Sequence, residues 1–133
     1  MDDIISIRDR DVAETFFDAI KGTMDFSVRQ DEIIRRLADG RAPRFYVSYE
    51  KARRFVSMLE RGLELPLKNP NRIRMYEELH RRYRMRVSVT GRKEGYMVLS
   101  SIIEEPAPSF YMEPKTFRAI VYKYHHSRTR KCR

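Results

Sequence analysis

An all-α fold, a small single-domain bundle of about six helices, is predicted from three observations. Apolar residues recur at helical spacing along most of the chain, and Pro and Gly are few among its 133 residues. The segment Ala42-Pro43-Arg44-Phe45-Tyr46-Val47-Ser48 returns 65 positions later as Ala107-Pro108-Ser109-Phe110-Tyr111-Met112-Glu113. The likeness continues on both sides without a gap. Ile33, Ile34, Leu37 and Ala38 align with Val98, Leu99, Ile102 and Ile103, and Ala52, Arg53, Phe55 and Val56 with Phe117, Arg118, Ile120 and Val121. This reads as a duplicated helix–linker–helix unit, pseudo-twofold in layout, with an APxFY joint in each copy.

Taken in order, residues 8–22 place Val12, Phe16, Ala19 and Ile20 on one face, with Lys21 and Gly22 closing the helix. Ser27 caps a second helix to about Asp39, buried through Val28, Ile33, Ile34 and Leu37. Pro43 forces the residue before it out of the helical region, so that helix has ended by the first joint. Ser48 then caps a third helix, 49–63, whose stripe is Tyr49, Ala52, Val56, Leu59 and Leu63. Asn69-Pro70 starts a fourth helix, 69–86, buried through Ile73, Tyr76, Leu79 and Tyr83 and without a counterpart in the second copy.

Residues 85–99 carry two competing patterns. Met85, Val87 and Val89 alternate with polar residues before Gly91-Arg92-Lys93-Glu94-Gly95, as in a short β-hairpin. The repeat register instead favours a loop over 88–95 and a helix over about 96–105. Pro114 opens the last helix, buried through Phe117, Ile120, Val121 and Tyr124. The expected organisation is one helical domain over 1–126, with repeat units at 28–63 and 96–126 around the basic helix 69–86, and a flexible basic tail at 127–133.

Charge points to the partner. There are 28 bases and 19 acids, a net of +9; residues 1–32 carry −5 and the rest +14. Arg outnumbers Lys by 21 to seven, which suits bidentate contact with phosphate or carboxylate. No apolar run is long enough to span a membrane. With one cysteine and an acidic start lacking a signal-peptide pattern, a cytoplasmic setting is expected.

No catalytic constellation emerges. The glycines are scattered singly, so no phosphate loop forms, and three His with Cys132 lack zinc-ligand spacing. Glu77-Glu78 and Glu104-Glu105 are adjacent in sequence and diverge on a helix. The expectation is a protein that is not an enzyme, without metal or cofactor, and binds nucleic acid, DNA first, as an accessory or regulatory factor with a helix-turn-helix-like layout. Arg81, Arg82, Arg84 and Arg86, with Lys123, Arg128, Arg130 and Lys131, would hold phosphates. Lys51, Arg53, Arg54, Lys115 and Arg118, near the starts of two helices, would lie closest to base edges. Arg53 and Arg118 have a rival role as structural bridges. The alternatives are an adaptor for an acidic protein and a single-strand or RNA binder stacking bases on the APxFY aromatics. The joint keeps Ala, Pro, Phe and Tyr but exchanges Arg44 for Ser109, which marks it as structural.

Overall fold

The computed structural model describes residues 3–21, 30–91 and 95–131, the side chains of Tyr96 and of 125–131 excepted. Six helices follow in order: α1 (Ile4–Ile20), α2 (Gln30–Ala38), α3 (Tyr49–Glu60), α4 (Pro70–Thr90), α5 (Gly95–Ile103) and α6 (Pro114–Lys131). The fold is all-α; extended pairing among the described residues is limited to one antiparallel bridge, Ala42 with Ala107.

The helix ends follow local chemistry. Asp3 caps α1, its carboxylate accepting the Ser6 N–H at 2.7 Å, and that bond holds the carboxyl below its ordinary pKa. The cap sets α1 about one turn ahead of the expected 8–22, and Ala19 is exposed. Ser48 caps α3 by accepting from the Lys51 N–H at 3.3 Å, and Asn69 caps α4 with Pro70 at its first position. Gly62 ends α3 at φ 72°: its N–H bonds Leu59 O and the Leu63 N–H bonds Met58 O, each at 3.0 Å. That pair of bonds is the Schellman arrangement, and it stops the helix three residues before the expected end. Ser27, the cap expected for α2, and residues 92–94 of the expected turn lie outside the described residues.

No hairpin forms in the described part of 85–99. Helix α4 continues through Thr90, and its last turn carries two local bonds, Ser88 Oγ to Met85 O at 2.7 Å and Thr90 Oγ to Arg86 O at 3.0 Å. The alternation that suggested a strand marks no buried face, since Met85 is 60% and Val89 84% exposed. Of the favoured alternative, a loop over 88–95 and a helix over 96–105, the helix appears as α5, whereas residues 88–90 continue α4 and form no loop. The helix α6 runs to Lys131, so residues 127–131, expected in a flexible tail, are helical.

The helices group into two compact units, Met1–Arg41 with Pro108–Arg133, and Ala42–Ala107. In the first, α1 and α2 pack on each other and both on α6. Its buried side chains are Val12, Ala13 and Phe16 of α1, Ile34 and Ala38 of α2, Phe110 of the second joint, and Phe117, Ile120 and Val121 of α6. In the second, α3, α4 and α5 pack pairwise. Its core holds Phe45 and Val47 of the first joint with Ala52, Phe55, Val56, Met75, Tyr76, Leu79, Leu99, Ile102 and Ile103. The Phe55 and Tyr76 rings meet at 4.6 Å. Ile73 and Tyr83, expected in the core, are half-buried. The basic helix α4 therefore belongs to the second unit, where it packs as α1 does in the first.

The joints serve the helix ends. In the second unit the Phe45 N–H donates to Ile103 O at the end of α5 (3.0 Å), and Ala42 and Ala107 exchange both backbone bonds at 2.9 Å. In the first, Ser109 Oγ reaches Ala38 O at the end of α2 at 3.5 Å and accepts the Tyr111 N–H at 2.9 Å. Phe45 and Phe110 are 1% and 4% exposed, so the joint phenylalanines are core anchors, while Tyr46 and Tyr111 are half-buried.

Candidate nucleic-acid interface

The bases of α3 and those of α4 stand in opposite situations, although both lie in the second unit. On α3 the apolar stripe faces α4 and α5; Lys51, Arg53 and Arg54 are all exposed, with Arg53 on the side towards α4 and α5. Among the described residues none of the three forms an ion pair. Arg54 lies over the edge of its own core, its guanidinium 5.5 Å from the Phe55 ring centre.

On α4 the arginines are largely neutralised within the unit. Arg81 grips Glu78 with two hydrogen bonds of 2.8 and 2.7 Å, and Arg82 reaches the same carboxylate at 2.9 Å. Those bonds, from Arg81 first, hold the Glu78 carboxyl below its ordinary pKa against the opposing effect of burial. Arg82 also donates to Pro106 O at 3.1 Å, lies 3.6 Å from Glu105 and covers the Phe45 ring at 5.0 Å. Arg86 binds Glu105, which raises the guanidinium pKa above its usual value. Arg84, 70% exposed, is 3.8 Å from Glu60. Arg82 and Arg86 thus fasten α4 to the end of α5 and to the joint, whereas Arg81 and Arg84 keep exposed charge.

In the first unit, Lys115 and Lys123 are exposed on α6, and Arg118 is bonded to Asp31 of α2. The Arg118 Nε is buried without a hydrogen-bond partner. Arg128, Arg130 and Lys131 lie on the last turns of α6, where only the backbone is described. Arg53 and Arg118, matched in sequence, therefore differ in state: Arg118 bridges to Asp31, and Arg53 has no ion pair among the described residues.

A cavity of about 460 Å³ opens between α3, α4 and α5, lined by Tyr49, Arg53, Val56, Ser57, Glu60, Tyr83, Gly95 and Leu99. In its wall Gly95 lets the Tyr83 hydroxyl approach closely, since a Cβ there would fall 2.7 Å from it. Glu60 is held at the rim by His80 Nε2, 2.8 Å from its Oε1. Of this set, sequence reasoning singled out Arg53 alone. The others run from Tyr49 to Leu99 over three helices, so no local motif could have joined them. Among the described residues no group of three His, Cys, Asp or Glu could hold a metal ion, and no helix is long and apolar enough to cross a membrane. No protein-family model, curated protein or solved structure matches the chain.

Proposed function

We propose that this protein binds nucleic acid, duplex DNA in the first place, as a non-enzymatic accessory or regulatory factor of the cytoplasm. The observation that carries the reading is the row Lys51, Arg53 and Arg54: three bases on one capped helix, exposed and without a carboxylate partner among the described residues. Cations in that state meet phosphate without first breaking a protein ion pair. The unit they belong to holds fourteen bases and eight acids, a net of +6. Arg81 and Arg84 on α4 extend the basic surface, and the Glu78 and Glu105 pairs make Arg82 and Arg86 its scaffold.

Binding of random-sequence duplex DNA across a salt series tests this. Counterion release gives a log–log slope of about −0.9 per phosphate neutralised, so several contacts require a slope steeper than about −4. Changing Lys51, Arg53 and Arg54 together to Ala should flatten the slope by about 3 units without lowering thermal stability appreciably. Absence of binding at low salt would sink the proposal, and would leave an acidic protein as the partner for the same face.

A further inference from the structure

The geometry points to the α3–α4–α5 cavity as a site for a nucleotide unit, its phosphate on Arg53 and the N–H edge of its base on Glu60. Three features carry this. The first is size: the opening, about 460 Å³ and accessible from solvent, falls within the range of small-ligand sites.

The second is that polar groups open to a ligand converge there. Among the described residues, the Arg53 guanidinium and the hydroxyls of Ser57 and Tyr83 have no protein hydrogen-bond partner, and Glu60 has protein partners on Oε1 alone. Gly95, the first residue of α5, forms part of the wall, so the positive end of that helix dipole lies beside the cavity with Arg53. Arg53 and Glu60 are seven residues apart on the same helix, about 10 Å along its axis. A ligand joining both must be anionic at one end and donate hydrogen bonds at the other. A nucleotide has that form, and guanine offers a carboxylate two N–H donors on one edge. Val56 and Leu99 supply apolar wall, and the Tyr49 and Tyr83 rings can stack on a base.

The third is the contrast with the matched arginine. Arg118 is bound to Asp31, whereas Arg53 at the cavity has no ion pair among the described residues.

This site rests on the proposed nucleic-acid function but is tested apart from it. Full-length protein is titrated with guanosine monophosphate, guanosine and inorganic phosphate, followed by amide chemical shifts. The monophosphate should perturb α3 from Arg53 to Glu60 and the start of α5, and bind at least tenfold more tightly than either fragment. Arg53→Ala should weaken the monophosphate tenfold or more and leave guanosine unchanged; Glu60→Gln should weaken guanosine and leave phosphate unchanged. Gly95→Ala, which displaces the Tyr83 hydroxyl, should weaken all nucleotide binding yet preserve the salt slope on duplex DNA. A 5′-phosphorylated single-stranded oligonucleotide that displaces the monophosphate and binds more tightly identifies a strand as the source; failure to displace it identifies the free nucleotide. Absence of shifts at millimolar monophosphate, or an Arg53→Ala affinity within twofold of wild type, would overturn the site while leaving duplex binding to stand or fall by its own slope.

Discussion

The two three-helix units draw on the chain in the same way. Each takes two consecutive helices, α1 and α2 or α4 and α5, and completes its core with the helix that follows the other unit's pair along the chain, α6 or α3. At the 65-residue offset the buried positions coincide: Ala52 with Phe117, Phe55 with Ile120, Val56 with Val121, Phe45 with Phe110, Ile34 with Leu99 and Ala38 with Ile103. The surfaces do not follow. Arg118 is tied to Asp31, while Arg53, beside a cavity, has no ion pair among the described residues; α4 carries arginines clamped by Glu78 and Glu105, while α1 starts on the Asp3 cap. Packing positions are constrained by contact on every side, so they stay alike in the two units. Exposed positions are constrained only by what they meet, so function is to be sought where the units differ.

The largest effects should come from breaking one core and watching the other. Phe117 and Leu79 are both 0% exposed, one in each unit. Phe117→Ala should cost about 3–5 kcal/mol and Leu79→Ala about 2–5 kcal/mol. In native-state hydrogen exchange, Phe117→Ala should release the amides of α1, α2 and α6, and Leu79→Ala those of α3, α4 and α5. If either variant releases all six helices to the same extent, the division into two units has no energetic counterpart.

A smaller effect tests the clamp that only α4 has. Glu78 receives three hydrogen bonds from Arg81 and Arg82 and is held below its ordinary pKa by them. Glu78→Gln should lower stability at pH 7 by about 1–2 kcal/mol, the usual scale for bonds to a charged group. Because the folded pKa is depressed, the native contribution is full above the ordinary carboxylate value near ~4.3 and is lost as pH falls through the folded value. Denaturation of wild type and variant should therefore converge in strongly acidic buffer. A difference that persists there would assign the effect to packing rather than charge.

What the sequence made legible was local. Ser48 and the Asn69-Pro70 pair mark helix starts because cap chemistry acts within three residues. The centres of the buried rows, Ala52 and Val56 on α3 and Phe117, Ile120 and Val121 on α6, showed in the helical period, whereas Leu63 of the expected α3 row is exposed. The hairpin reading of 85–99 failed because Val87 and Val89 alternate with polar residues on a helix end that protrudes, where apolar periodicity records no buried face. The states of Arg82, Arg86 and Arg118 were hidden for a different reason: their partners Glu105 and Asp31 lie 19 to 87 residues away, and only packing brings them together. The cavity was hidden likewise, since its lining comes from three helices that only packing brings together.

The smallest expected effect bears most directly on the matched arginines. The Arg118–Asp31 pair is partly exposed, with side chains 41% and 70% accessible, so Arg118→Ala should cost no more than about 1 kcal/mol. Arg53 forms no ion pair among the described residues, and Arg53→Ala should fall within about 0.5 kcal/mol of wild type in chemical denaturation. On DNA affinity and on nucleotide binding the order should reverse, with Arg53→Ala the more damaging and Arg118→Ala close to neutral. A measurable stability loss from Arg53→Ala with no change in binding would place both arginines in the same structural role, and the contrast between the units would then lie in the cavity walls alone.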